Sequence, residues 1–183
     1  LDRLDQDHRE DLEAMEAEIT SKTKAIFICN PNNPTGTMLA ESEIKDFLNR
    51  VSDDILVILD QAYQEYITET DFFDGVGLLE SHPNLVLMRT FSKAYGMAGM
   101  RIGYALGSEK LFDYLNRIRG PFNVNRLAQK AAVRALEADD HLRKCQNLNK
   151  EEKEFIYQEF EKMGLEYIET QTNFMMVNTT LAA

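Results

Sequence analysis

Three short polar clusters in the chain combine residue types that can do chemistry: Asn32-Asn33-Pro34-Thr35-Gly36, Asp60-Gln61-Ala62-Tyr63, and Thr90-Phe91-Ser92-Lys93 followed by Arg101. The hydroxyls of Thr90 and Ser92 and the planar fork of Arg101 suit a phosphate, which takes hydroxyl donors and a bidentate guanidinium. A lysine among such donors, here Lys93, can form a Schiff base with a carbonyl when its amine is held neutral. A carboxylate such as Asp60 can keep an aromatic ring nitrogen protonated, and Asn33 and Tyr63 can hydrogen-bond a ring hydroxyl. Taken singly, each cluster has an ordinary explanation. Asn, Pro and Gly build turns, Asp after an apolar run is commonly a cap, and Ser-Lys is commonly solvated surface. Only the combination points to chemistry.

These clusters need elements that bring them to one place. Lys24 to Cys29 is a short apolar run, Ile55 to Leu59 is a continuous β-branched-rich run, and Leu85 to Met88 repeats it; such runs read as strands, the second buried on both faces. Each is followed by one of the clusters. Ile102 to Leu106 is a fourth strand candidate. Between them, Leu12, Met15 and Ile19 share one helical face within residues 11 to 19, and Ile44, Phe47, Leu48 and Val51 share another. Helices are expected over Glu109 to Ile118, Leu127 to Ala138 and Asp139 to Met163. The last has Leu142, Cys145, Leu148, Phe155, Phe160 and Met163 as its apolar stripe and Gly164 as its C-terminal stop. Leu165 to Ile168 and Phe174 to Val177 read as short closing strands. Alternating strands and helices up to about residue 120, then helices, then strands, predict an α/β domain with part of a second domain attached. In open α/β sheets, ligands bind beyond the carboxyl ends of the strands, where all three clusters fall.

Composition narrows the field. The 183 residues carry 20 Lys+Arg against 31 Asp+Glu, a formal charge of -11, with 44% hydrophobic and 28% charged residues. That acidity argues against nucleic acid or an anionic membrane as partner, and no apolar run approaches the roughly 20 residues that cross a bilayer. A cytoplasmic location is expected. Cys29 and Cys145 stand far apart, and His8, His82 and His141 lack metal-ligand spacing, so no metal site is expected and the histidines read as surface or capping residues. The charged stretch from Glu151 to Lys162 reads as a solvated helix face.

A phosphate, a carbonyl and a protonated ring nitrogen are together the requirement list of pyridoxal 5'-phosphate. The ordered segments NPNNPTGT (30 to 37), LDQAYQEY (59 to 66) and RTFSKAYGMAGMRIGY (89 to 104) closely resemble the fold-type-I pyridoxal-phosphate aminotransferases, and within them the histidinol-phosphate branch. The resemblance runs from about Asp11 to Asn178 and takes in PFNVNRLAQ (121 to 129) and Thr172-Asn173-Phe174. It implies a large domain with a mixed, mostly parallel sheet flanked by helices, covering residues 1 to 120 in part. Connecting helices and the start of a small α+β C-terminal domain would occupy 121 to 183.

By that resemblance Lys93 is the Schiff-base lysine and the proton shuttle between the substrate Cα and the cofactor C4'. Asp60 pairs with the pyridine nitrogen, Asn33 and Tyr63 contact the ring oxygen, and Thr90, Ser92 and Arg101 bind the cofactor phosphate. The implied reaction is a ping-pong transfer in which glutamate, formed from 2-oxoglutarate in reverse, leaves its amino group on the cofactor and imidazole-acetol phosphate collects it as histidinol phosphate. Aromatic-amino-acid transamination, phospho-amino-acid decarboxylation and an inactive cofactor-binding fragment are the competing readings. Position 61 is Gln where the family commonly has Glu, a change expected to tune the site. The family also has an N-terminal phosphate loop, a ring-stacking aromatic and a tyrosine offered to a partner subunit, none of them matched before Lys24. No arginine follows Arg143 to clamp a substrate carboxylate. The chain therefore reads as a portion of a longer, homodimeric protein, holding the cofactor floor without the substrate clamp and weakly active or inactive alone.

Overall fold

The computed structural model describes residues 4–68 and 74–179. Its centre is a four-stranded sheet of β1 (Ala25–Cys29), β2 (Leu56–Asp60), β3 (Leu85–Thr90) and β4 (Gly103–Gly107), in that spatial order. The first three run parallel, and β4 returns antiparallel to β3. Strand β2 lies between two neighbours, and its Val57, Ile58 and Leu59 are all buried, as its unbroken apolar run predicts. The outer strand β1 alternates instead: Ile26 and Ile28 are buried while Phe27 is 60% exposed.

One face of the sheet carries the core. The side chains of Ile26, Ile28, Val57, Leu59, Leu85 and Leu87 pack there with Leu12 of α1 (Leu12–Ala17) and with Ile44, Phe47 and Leu48 of α2 (Glu41–Arg50). Helix α1 is shorter than the apolar spacing predicts, because Glu18 and Ile19 close it with turn bonds to Met15 and Glu16. At the start of α2 the Glu43 carboxylate accepts from the Ala40 backbone N–H at 2.7 Å and from Arg9, which fixes the helix entry. His82 takes the capping role of the two expected for the histidines. It is buried, with its ring nitrogens on the Leu78 carbonyl at 3.1 Å and Asn49 Oδ1 at 3.2 Å, so it caps the short 3-10 turn at Val76–Leu78.

After β4 come α3 (Glu109–Ile118), α4 (Arg126–Leu136) and the 25-residue α5 (Asp139–Met163), then an antiparallel pair, β5 (Glu166–Ile168) and β6 (Met176–Asn178). Gly164 ends α5 in the left-handed conformation, as expected. The apolar stripe predicted for α5 is only partly the buried one. Leu142 and Cys145 are half-buried, but Leu148, Phe155 and Met163 are exposed. The face that meets the rest of the chain continues through Asn149, Lys153, Ile156 and Tyr157, and its polar members are satisfied by backbone carbonyls: Asn149 donates to Thr172 and Lys153 Nζ to Thr170 at 2.7 Å. Lys153 is thus a buried structural residue inside the run read as a solvated face.

Candidate active site

Strand register brings the three clusters to one edge. Cys29 lies opposite Asp60, Asp60 opposite Met88, and Thr90 opposite Gly103, so the carboxyl ends of β1, β2 and β3 and the start of β4 share one side of the sheet. Gly103 is needed for that closure, since a Cβ there would stand 2.7 Å from the Arg89 carbonyl oxygen.

The first loop separates structural from available asparagines. Asn30 binds both ways to the Leu39 backbone, accepting at 2.8 Å and donating at 3.2 Å, and Asn32 donates to Thr35 Oγ1 at 2.8 Å. Both are buried and hold the loop. Asn33 is exposed, and its Nδ2 donates to the Tyr63 hydroxyl at 3.2 Å. The loop closes at Gly36, whose φ of +78° and whose contact with Thr170 exclude other residues: a Cβ would fall 1.9 Å from Thr170 Oγ1. The Gln171 N–H donates to the Gly36 carbonyl at 2.8 Å, so the segment beyond β5 is seated on this loop.

Tyr63 is the meeting point. Its ring is buried beside Tyr66 and Ala94, with Phe174 edge-on at 5.0 Å between centroids, and Lys93 Nζ lies 4.9 Å from the ring centroid. Residues from three loops and the second region thus converge on one phenol. Asp60 closes the neighbouring strand tip half-buried, and its Oδ1 accepts from the Ala62 N–H at 3.0 Å. Burial pushes its carboxyl above the ordinary value, and the Ala62 hydrogen bond offsets only part of that.

The third loop presents alternate residues to solvent. Phe91 and Ala94 are buried, Phe91 with its ring 4.9 Å from Tyr95 and 5.4 Å from Tyr104, and this anchors the turn that leaves Ser92 half-buried and Lys93 exposed. The turn is closed by Gly96 N–H on the Lys93 carbonyl and Met97 N–H on the Phe91 carbonyl, both at 2.9 Å. Thr90 Oγ1 accepts from the Ser92 N–H at 3.1 Å, leaving its own hydroxyl hydrogen to donate. The Phe91 N–H bonds the Ile102 carbonyl, which extends the β3–β4 ladder and sets Arg101 opposite Ser92. Arg101 is exposed and turns Nη1 onto the Ala98 carbonyl at 2.9 Å, in a left-handed backbone conformation.

Of the residues singled out by sequence, Asn33 hydrogen-bonds the Tyr63 hydroxyl and Lys93 Nζ lies over the Tyr63 ring. Asp60, Thr90, Ser92 and Arg101 share the edge without touching one another through their side chains. Phe174 and Thr170 shape the site from a distant stretch of sequence. Phe174 reads only as the start of a closing strand and as part of the Thr172-Asn173-Phe174 segment, while the strand itself runs Met176–Asn178, and nothing in the spelling of Thr170 marks it.

Three parallel strands and an antiparallel fourth give a mixed, mostly parallel sheet with flanking helices, the fold of the fold-type-I aminotransferase class. The family model described as aminotransferase class I and II matches residues 3–182, and the chain belongs to that family. It is 47% identical over 170 residues to a histidinol-phosphate aminotransferase of Caldicellulosiruptor saccharolyticus, covering 93% of this chain and 48% of the relative. It is 48% identical over 168 residues to histidinol-phosphate aminotransferase 2 of Hydrogenovibrio crunogenus, covering 92% of this chain and 45% of the relative. Among solved structures, the histidinol-phosphate aminotransferase of Sinorhizobium meliloti in complex with pyridoxal-5'-phosphate superposes with a TM-score of 0.88 at 31% identity, covering 95% of this chain and 47% of that one. The chain spans about half the length of the curated relatives it matches. Among the described residues, no helix is long and apolar enough to cross a membrane, and no cluster of His, Cys, Asp and Glu could hold a metal ion.

Proposed function

We propose that this chain is the cofactor floor of a pyridoxal-phosphate-dependent transaminase that, in the whole protein, exchanges an amino group between histidinol phosphate and 2-oxoglutarate. The observation that carries the reading is the convergence of the Lys93 amine and the Asn33 amide on the Tyr63 phenol, beside the Asp60 carboxyl. The residues fit the cofactor chemically. Asp60 is desolvated without an opposite charge, which a protonated ring nitrogen supplies. Asn33 and Tyr63 already form a hydrogen-bonded pair able to hold a ring oxygen, and Thr90, Ser92 and Arg101 are the donor set for its phosphate. When bound, the cofactor supplies a carbonyl for an amine and a ring that withdraws electrons from the substrate Cα.

In this reading Asp60 keeps the ring nitrogen protonated, and the Asn33–Tyr63 pair orients the ring. Thr90, Ser92 and Arg101 fix the phosphate end. Lys93 Nζ would be the amine that condenses with the cofactor carbonyl, expelling water, and, once displaced by the substrate amine, the base that would move a proton between the substrate Cα and C4'. Residues 1–120 form the cofactor-binding large domain, and residues 121–183 the connecting helices and the start of the small domain. A homodimer is supported by the exposed apolar side chains of Ile118, Phe122, Leu127, Val133 and Leu136. The ordinary globular composition supports a cytoplasmic setting.

The direct test adds pyridoxal phosphate to the purified chain, reduces with borohydride and locates the pyridoxyl group by peptide mass spectrometry. A label confined to Lys93 is expected; scattered or absent label in a folded chain means that this piece does not assemble the site alone, and the enzyme reading then belongs only to the longer protein. In the whole protein, histidinol phosphate and 2-oxoglutarate should yield glutamate, and Lys93→Ala should abolish turnover. Phenylalanine turned over as fast or faster would replace histidinol phosphate with an aromatic amino acid as substrate.

A further inference from the structure

Gln61 stands between the two β2-tip residues assigned to the cofactor, yet its side chain is 1% exposed and faces away from them. The ladder explains why. Leu59 pairs with Leu87 and Asp60 with Met88, so with the period of two Gln61 and Arg89 share the packed face, while Asp60, Met88 and Thr90 point to the other. On the packed face Gln61 Oε1 accepts from Arg89 Nε at 3.1 Å, and Gln61 Nε2 donates to the Asp74 carbonyl at 2.9 Å. Arg89 Nη2 donates to that same carbonyl at 2.8 Å, closing a triangle. The Gln61 N–H on the Met88 carbonyl, at 2.9 Å, is the last rung joining the two strands. Beyond it, the Gln61–Arg89 side-chain bond ties the two tips together on their reverse side.

We propose that Gln61 is a positioning residue for the cofactor floor. Its amide holds the β2 tip, which carries Asp60, at a fixed spacing from the β3 tip, which carries Thr90, Ser92 and Lys93. The cofactor part of this inference rests on the proposed function; the tip-spacing part does not. The amide suits the place because it offers an acceptor to Arg89 and a donor to the Asp74 carbonyl at once. An apolar residue would leave Arg89 Nε without its partner and the tips joined only by backbone. A carboxylate would keep the bond to Arg89 that joins the tips; it would lose the donor and set its second oxygen against the Asp74 carbonyl, which Arg89 Nη2 still serves.

Two backbone amides report on the tips: Ala62 N–H, bonded to Asp60 Oδ1, and Ser92 N–H, bonded to Thr90 Oγ1. In the cofactor-free chain, Gln61→Leu should speed hydrogen exchange at both by about tenfold, the factor that corresponds to one lost hydrogen bond. Gln61→Glu should leave both within twofold. The pyridoxal phosphate Kd, followed by absorbance, should weaken about tenfold in Gln61→Leu and be restored in Gln61→Glu. Unchanged exchange at Ala62 and Ser92 in Gln61→Leu would overturn the inference. So would a lower melting temperature accompanied by an unaltered Kd, the signature of a merely structural role. If Gln61→Leu does not fold, Arg89→Met at a half-buried position decides in its place, with the same expected direction at both amides. Should the unmodified chain take up no cofactor, the cofactor floor fails for this chain alone, and the exchange rates still decide whether Gln61 spaces the tips.

Discussion

Residues 25–60 and residues 109–136 are built from similar apolar side chains and dispose of them in opposite ways. The first stretch buries Ile28, Ile44, Phe47, Val57 and Leu59 completely in one core. The second folds into two amphipathic helices of which α3 buries nothing and α4 buries only Ala128 and Ala132, leaving Ile118 81%, Phe122 98% and Leu127 74% exposed. The first region is stabilised by its own packing. The second leaves large apolar side chains uncovered among the described residues, and on more than one side of its helices, since Leu127 and Leu136 lie nine residues apart on opposite faces of α4. Between them lies the edge that carries the candidate site, where the polar Asp60 is half-buried and Tyr63 buried.

That gradient can be broken or sharpened by substitution. Phe47→Ala removes a ring at the centre of the core and should cost about 3–5 kcal/mol, read by denaturant unfolding; a loss below 1 kcal/mol would mean the core is not where the packing places it. Gly36→Ala, at the seam with the second region, must displace Thr170 and hold a positive φ, for roughly 2–3 kcal/mol. The same change should expose the Gln171 amide to hydrogen exchange.

Asp60→Asn should act in the opposite sense. Burial holds the Asp60 carboxyl above its ordinary 3.8, so its contribution is fully present below the unfolded value and is lost as the pH rises through the folded one. The asparagine variant, free of that loss, should melt roughly 1–2 °C higher at pH 7 and match the parent near pH 3, while taking up pyridoxal phosphate poorly. A variant that melts lower at pH 7 would show that Asp60 is stabilised by a partner. Phe122→Ala should change stability by less than about 0.5 kcal/mol, because the ring loses no packing. Its effect belongs to self-association, measured by sedimentation, and a clear loss of monomer stability would remove the contrast between the two regions.

Much of this architecture is legible in the residues, and the illegible part has identifiable causes. The unbroken runs at 55–59 and 85–88 announce buried strands, and the polar clusters after them locate the site edge, because strand ends and turn formers are local properties. Strand direction is not local: nothing in Ile102 to Leu106 says that it runs antiparallel. The long helix was read at its observed bounds, but its buried face passes through Asn149 and Lys153, which hydrophobic periodicity cannot select since carbonyls satisfy them. Gln61 reads only as a change that tunes the site, and its partners, Arg89 and the Asp74 carbonyl, are visible only in the fold. Gly36 reads correctly as a turn glycine, while its second reason, Thr170, is remote in sequence.

Helix α5 has a mechanical consequence. At about 1.5 Å per residue its 25 residues make a rod about 37 Å long. Its first half is tied to the site loops, with His141 Nε2 at 3.1 Å from the Ala94 carbonyl and Gln146 donating to the Glu65 carbonyl at 2.7 Å. Its second half grips the 170 turn through Lys153 and Tyr157. Because that turn is itself held on the Gly36 loop by the Gln171 N–H, the rod is fastened to the site loops through both of its halves and acts as a strut spanning all three of them.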